Sequence, residues 1–217
     1  MTAAAETPPA GRRPRSCADL RRVLEALADS DTRCRTIRQL EEERDPQAVP
    51  ALVDALSDAD PTVRQAAATA LGEFSEAVDA LLGALSDEDS RVRLEAVGSL
   101  CRLGDRRAIQ PLLGALRDAE WGVRLYAVTA LGQMAGEAAV EPLCELLSDE
   151  NEAVRRLAAQ TLGELGDLRA VLPLVDALTE WPEKMRWAPH EALVALAGQD
   201  YGRDNVRGWL GWWASQQ

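Results

Sequence analysis

Lysine is almost absent from this chain: of 24 basic residues, only Lys184 is not an arginine. That bias reads as the coding habit of a GC-rich genome, not as a recognition device. Histidine is reduced to His190. The four cysteines, Cys17, Cys34, Cys101 and Cys144, lie far apart with no CxxC pair. Such spacing excludes a disulfide framework and a zinc site, so a reducing cytoplasm is the expected compartment and no metal or other cofactor is expected. No apolar run is long enough to span a bilayer, and the opening MTAAAETPPAGRRPR lacks an apolar core of signal-peptide length. Residues 1–16 are expected to form a flexible, mildly basic tail. Net positive charge is missing as well: at −12, generic attraction to nucleic acid or to an anionic membrane is disfavoured. Aromatics are only 4% of the chain while Ala and Leu abound, so the core should be helical and closely spaced.

What the sequence has is a period. A hydrophobic residue followed by Arg recurs at Cys34-Arg35, Val63-Arg64, Val92-Arg93, Val123-Arg124, Val154-Arg155 and Met185-Arg186. Successive arginines are 29, 29, 31, 31 and 31 residues apart. Ahead of each pair stands a Leu (Leu27, Leu56, Leu85, Leu116, Leu147, Leu178), followed two residues later by an acid: Asp29, Asp58, Asp87, Asp118, Asp149 and Glu180. A fixed period of about 30 residues marks a solenoid, in which each unit covers the apolar face of its neighbour. Function is therefore expected on a surface and not in a catalytic cleft.

Within each unit two helices are predicted. Pro50, Pro111, Pro142 and Pro173 share one repeat position near the start of the first helix, where the missing amide is tolerated. Asp31, Asp60, Asp89, Glu120 and Asn151 are predicted to cap the second helix, contributing roughly 1 kcal/mol each. Val63, Ala67 and Leu71 fall at i, i+4 and i+8 and form its buried stripe. Gly72, Gly104, Gly136 and Gly166 are expected to end second helices in left-handed caps. Pro189 should kink the sixth second helix or delay its start.

This pattern, seen in LSDEDSRVRLEAVGSLCRLGDRRAIQPLLGAL and its near copies, resembles the HEAT-like repeats of phycobilisome lyases. The resemblance covers about residues 17–200, and units one and two depart from it by lacking two residues near the second-helix end. It implies an all-α fold: an armadillo-like α-α superhelix of six HEAT-like hairpins, with first helices convex and second helices concave. Residues 201–217, rich in Trp, are expected to add a capping helix. The GQDYG…W…WW ending is similar to the tails that close other bacterial HEAT-repeat proteins, and Trp209, Trp212 and Trp213 are spaced to lay one aromatic face across the array's end.

Two readings of the repeated charges are available. In one, Arg64, Arg93, Arg124 and Arg155 turn inward and each pairs with the Asp of its own or an adjacent turn, among Asp58, Asp87, Asp118 and Asp149, in a structural ladder that the forked guanidinium suits. In the other they form an anion-binding row. Every Arg comes with its own acid, which favours the ladder. On the concave side, the spacing brings Leu94, Leu125, Tyr126, Leu157 and Trp187 onto successive inner helices, with Arg156 on the rim. That composition suits a protein-binding track. The alternative is that these side chains simply pack between adjacent second helices.

Chemistry is sparse. No phosphate loop, Ser-His-Asp set or metal-ligand spacing is present. His190-Glu191 is similar to one half of the His-Glu pairs of deoxyhypusine hydroxylases, but one pair cannot build a site that needs several. DNA alkylation-repair enzymes of HEAT-like architecture need a basic groove, which a charge of −12 opposes. The expected function is a non-catalytic cytoplasmic, bacterial adaptor that holds another protein or peptide, or a second copy of itself, on its concave face. The repeat type also implies an enzymatic alternative, a bilin lyase or lyase-like protein that holds a tetrapyrrole, for which Tyr126, Trp187 and Arg156 would serve.

Overall fold

The computed structural model describes residues 29–217. The tail, Cys17 and Leu27 lie outside the described residues. Among those described, every regular element is helical. The first described element is a second helix, α1 (Ser30–Glu43). Four hairpins follow, pairing α2 (Val49–Ala55) with α3 (Pro61–Leu71), α4 (Val78–Ala84) with α5 (Ser90–Leu103), α6 (Ile109–Ala115) with α7 (Trp121–Met134), and α8 (Val140–Glu145) with α9 (Glu152–Leu165). A sixth unit, α10 (Val171–Glu180) with α11 (Trp187–Ala197), precedes the closing α12 (Val206–Ala214).

Two local devices set each hairpin. Pro50, Pro111, Pro142 and Pro173 all stand in the first turn of a first helix. Asp60, Asp89 and Asn151 accept hydrogen bonds from first-turn amides of second helices, with distances of 2.8–2.9 Å. Two expectations fail here. Glu120 makes no side-chain cap bond, its longer arm being poorly placed for the role. In the first unit the cap is Asp29, not Asp31; it accepts from Thr32 N at 3.0 Å, so α1 begins ahead of the predicted position.

Val63, Ala67 and Leu71 are fully buried, as are their equivalents in units three to five, and the main core cluster draws residues from every described unit. Successive second helices pack directly on one another, whereas first helices reach the next unit chiefly through the 3-10 turns between helices. A continuous inner layer with a more open outer layer makes the array an α-α superhelix with second helices on its inner side. Small residues permit this close inner packing. A Cβ on Gly163 of α9 would come within 2.8 Å of the Ala192 Cα in α11. Gly72 departs from the expected left-handed cap, having φ −64. Its glycine is needed for space, because a Cβ would meet Ser99 Oγ at 2.7 Å. Gly104, Gly136 and Gly166 do have positive φ.

The C-terminal end closes on aromatics. Trp209 is completely buried, donates from its indole to Gly202 O at 3.0 Å and meets Tyr201 edge-on at 5.1 Å. Trp212 and Trp213 pack half-buried against the same core, and α12 rests on α10. His190 sits beneath this cover, with Nε2 2.8 Å from Asp200 Oδ1 and the ring edge-on to Trp209. Its place is structural. Pro189 lies in the first turn of α11; ahead of it the chain makes a 3-10 turn, Glu183–Met185, so the helix starts late.

Candidate functional site, the inner face and its charged seam

A ladder of ion pairs runs along the loop end of the second helices. Arg64 binds Asp87 through Nε at 2.8 Å and Nη2 at 2.9 Å. Arg93 holds Asp118 at 2.7 and 2.8 Å, and Arg124 holds Asp149 at 2.7 and 2.9 Å, in the same two-pronged way. Each Arg thus reaches forward to the acid of the next unit. Its remaining Nη1 donates back to the carbonyl of its own unit's Asp: Asp58, Asp87, Asp118 and, from Arg155, Asp149. Each Asp spends an oxygen on the amide two residues ahead, as Asp87 does for Asp89 N at 2.9 Å. Every polar atom of the rung is therefore engaged, which is what allows Arg124 and Asp149 to be only 7% and 5% exposed. The exposed Glu88 and Glu150 add a second acceptor to Arg64 and Arg124 at 3.2 Å.

Burial pushes the Asp87 and Asp118 carboxyls up, but bonds from Arg64 and Arg93 and from the loop amides outweigh it and hold both below the usual carboxylate range. The ladder has two irregular ends. Arg33, not Arg35, engages Asp58 at 2.9 Å, because the early start of α1 shifts its register. At the other end Arg155 meets no carboxylate among the described residues: its guanidinium lies 5.9 Å from the Trp181 ring centre and donates to Met185 Sδ at 3.7 Å. The Trp181 indole N–H in turn donates to Leu147 O at 3.0 Å. Glu180 is thus replaced in the rung by its neighbour Trp181. The sequence signal for that swap is an indole beside the expected acid.

The predicted track divides. Leu94, Leu125, Leu157 and Trp187 are half-buried against the core, wedged where second helices meet; Leu94 Cδ1 lies within 3.3 Å of where a Gly122 Cβ would be. Tyr126 differs, being 48% exposed, its ring leaning over the bare backbone of Gly98 beside the Arg102 guanidinium. Around it the inner face is polar. Glu95 accepts from Gln65 at 3.2 Å and Thr69 at 3.1 Å across the α3–α5 joint, and Thr129 and Gln133 are exposed. Arg156 is exposed on α9 and has no ion-pair partner among the described residues. It shares a cleft with Trp187 into which Tyr126 does not reach. Trp121, 46% exposed in the first turn of α7, was outside the predicted face. An amphipathic count cannot find it, because the loop edge belongs to no helical stripe.

No group of three or more His, Cys, Asp or Glu side chains able to hold a metal ion occurs among the described residues. Burial pushes the thiols of Cys34, Cys101 and Cys144 up, that of Cys144 to about 11, so the nucleophilic thiolate is disfavoured. No helix among the described residues is long and apolar enough to cross a membrane.

Comparison with known proteins agrees with this architecture. A family model for HEAT repeats matches residues 18–77, 73–124 and 111–194. Among solved structures, computationally designed armadillo repeat proteins for modular peptide recognition are 22% identical, with 82% of this chain and 92% of that chain covered and a TM-score of 0.55. An archaeal HEAT-like repeats protein from Thermococcus onnurineus NA1 is 17% identical, covering 92% and 87%, with a TM-score of 0.55. The Pds5-Scc1 complex, from work on cohesin function, gives a TM-score of 0.60 at 13% identity, this chain covering 36% of that one. No curated protein matches.

Proposed function

The chain belongs to the HEAT-repeat family, and from that premise we propose that it is a non-catalytic scaffold holding a protein or peptide along the inner face of its superhelix. One observation carries the reading: Tyr126 stands open on a polar inner face while the core around it is closed. An exposed aromatic ring costs solvation and offers a large contact area at little entropy loss, and such rings anchor interfaces. Arg102 adds a directional donor beside it, and Arg156 adds another further along the same face. The half-buried leucines serve as the floor of this surface. A fold built for protein binding also appears in the designed armadillo proteins, whose stated purpose is modular peptide recognition.

A tetrapyrrole would need Tyr126, Arg156 and Trp187 to converge; Arg156 and Trp187 line one cleft, and Tyr126 is not part of its lining. The adaptor reading stands ahead on that ground. Its test uses exposed positions only: Tyr126→Glu should abolish capture of the native partner with an unchanged melting curve, and Leu172→Glu on the outer helix α10 should not. Equal capture by both variants contradicts the proposal. Leu125 is unsuitable for such a test, because a charge on that half-buried side chain would unsettle the core itself.

A further inference from the structure

The joint between units five and six differs from every earlier joint. The ladder breaks there, since Arg155 turns to Trp181 and Met185 instead of an acid. The first turn of the incoming second helix is also rewound, because Pro189 lacks the amide an α-helical turn ahead of it requires, leaving the 3-10 turn Glu183–Met185. Between α9 and this turn lies a cleft of about 320 Å³ lined by Glu152, Ala153, Arg156, Lys184, Met185 and Trp187. Arg156 occupies the repeat position that holds Leu94 and Leu125 in the two preceding units.

Charges in the cleft do not cancel. Lys184 pairs with Glu152 at 3.2 Å, which leaves Arg156 as the single uncompensated charge. The opposite wall, Trp187 with buried Met185, is apolar. The cleft's size fits one side chain with its own backbone and little more. One carboxylate beside one apolar side chain is the chemistry of a free peptide C-terminus. The geometry points to this cleft as the seat for the carboxyl-terminal residue of the partner, its carboxylate on Arg156 and its side chain against Trp187 and Met185. This rests on the inner-face reading above and adds to it an orientation: the bound segment ends at the sixth unit.

The test uses the full chain, labelled with 15N, and follows the Trp187 indole signal, assigned from the spectrum of Trp187→Phe. The probes are N-acetyl-phenylalanine and N-acetyl-phenylalaninamide, which differ only in the charged carboxylate. The acid should move the Trp187 signal in a saturable way and bind about tenfold more tightly than the amide. Arg156→Gln should erase that preference, with the other indole signals in place. Equal binding of acid and amide, no shift with the acid, or a preference that survives Arg156→Gln overturns the inference. If Tyr126→Glu still abolishes partner capture in that case, the inner face remains the binding surface and only the carboxylate seat falls.

Discussion

The Arg–Asp rungs are stable as residues because geometry satisfies both partners, not because charges attract. Exposed pairs such as Arg117–Glu145 at 2.9 Å contribute roughly 0–1 kcal/mol. Arg124–Asp149 is different, since removing the Arg strands a nearly inaccessible carboxylate. Arg124→Ala should therefore destabilise the array by about 3–5 kcal/mol and Arg117→Ala by less than about 1 kcal/mol, as read from urea melts. Acid should act through the same seam. Asp87 and Asp118 titrate below their unfolded value of about 3.9, so their contribution is complete above that value and is lost as pH falls through the lower, folded values. Stability measured by urea midpoint should stay level from about pH 7 to 5 with respect to these groups and fall below about pH 4. A fall already complete at pH 5 would assign acid sensitivity to other groups. The rungs at Arg64, Arg93 and Arg124 are legible in the sequence because a strict period makes equivalent residues spatial neighbours. Their forward direction is not legible, since a period fixes which residues are equivalent but not which adjacent unit each one reaches. Arg33 is hidden for another reason: Asp29 caps α1 early, which moves a different Arg into the rung.

At the scale of elements, the close approach of second helices is the decisive feature, and glycine shows it by contrast. A Cβ placed on Gly163 would lie 2.8 Å from the Ala192 Cα, whereas nothing lies within 4 Å of a Cβ placed on Gly114 in α6. Gly163→Ala should cost about 1–3 kcal/mol through overpacking. Gly114→Ala should be neutral or stabilise by up to about 1 kcal/mol, because it only removes chain entropy from a helical site. Equal effects on melting temperature would mean that the α9–α11 joint tolerates a wider spacing. Helix pairing and core stripes follow from the apolar period, since a core position must be apolar in every unit. The inner face is less legible. Leu94, Leu125 and Leu157 sit on the solvent-facing arc of an isolated helix, yet they pack half-buried against the core. Side-by-side packing is a property of the layer, and no single-helix wheel contains it. Likewise, Pro189 foretells the delayed start of α11 but not the cleft beside it.

As a whole molecule, the array distributes its stability over neighbouring joints, and its last joint is closed by an aromatic cap rather than another repeat. Trp209, on the final helix, carries that closure, being wholly buried with Tyr201 and His190 edge-on to its ring. Trp209→Ala should cost about 3–5 kcal/mol, and the loss should appear first in amide exchange of α10 and α11, sparing α3 and α5. Uniform loss of protection would make the molecule one cooperative block.

The central claim is that the inner face, not the outer one, meets the partner. Photo-crosslinking in the native cell addresses it directly, with p-benzoyl-phenylalanine placed at Thr129 on α7 or at Asp176 on α10, both exposed. Position 129 should give one stoichiometric crosslinked product and position 176 none. A product from 176 alone would contradict it.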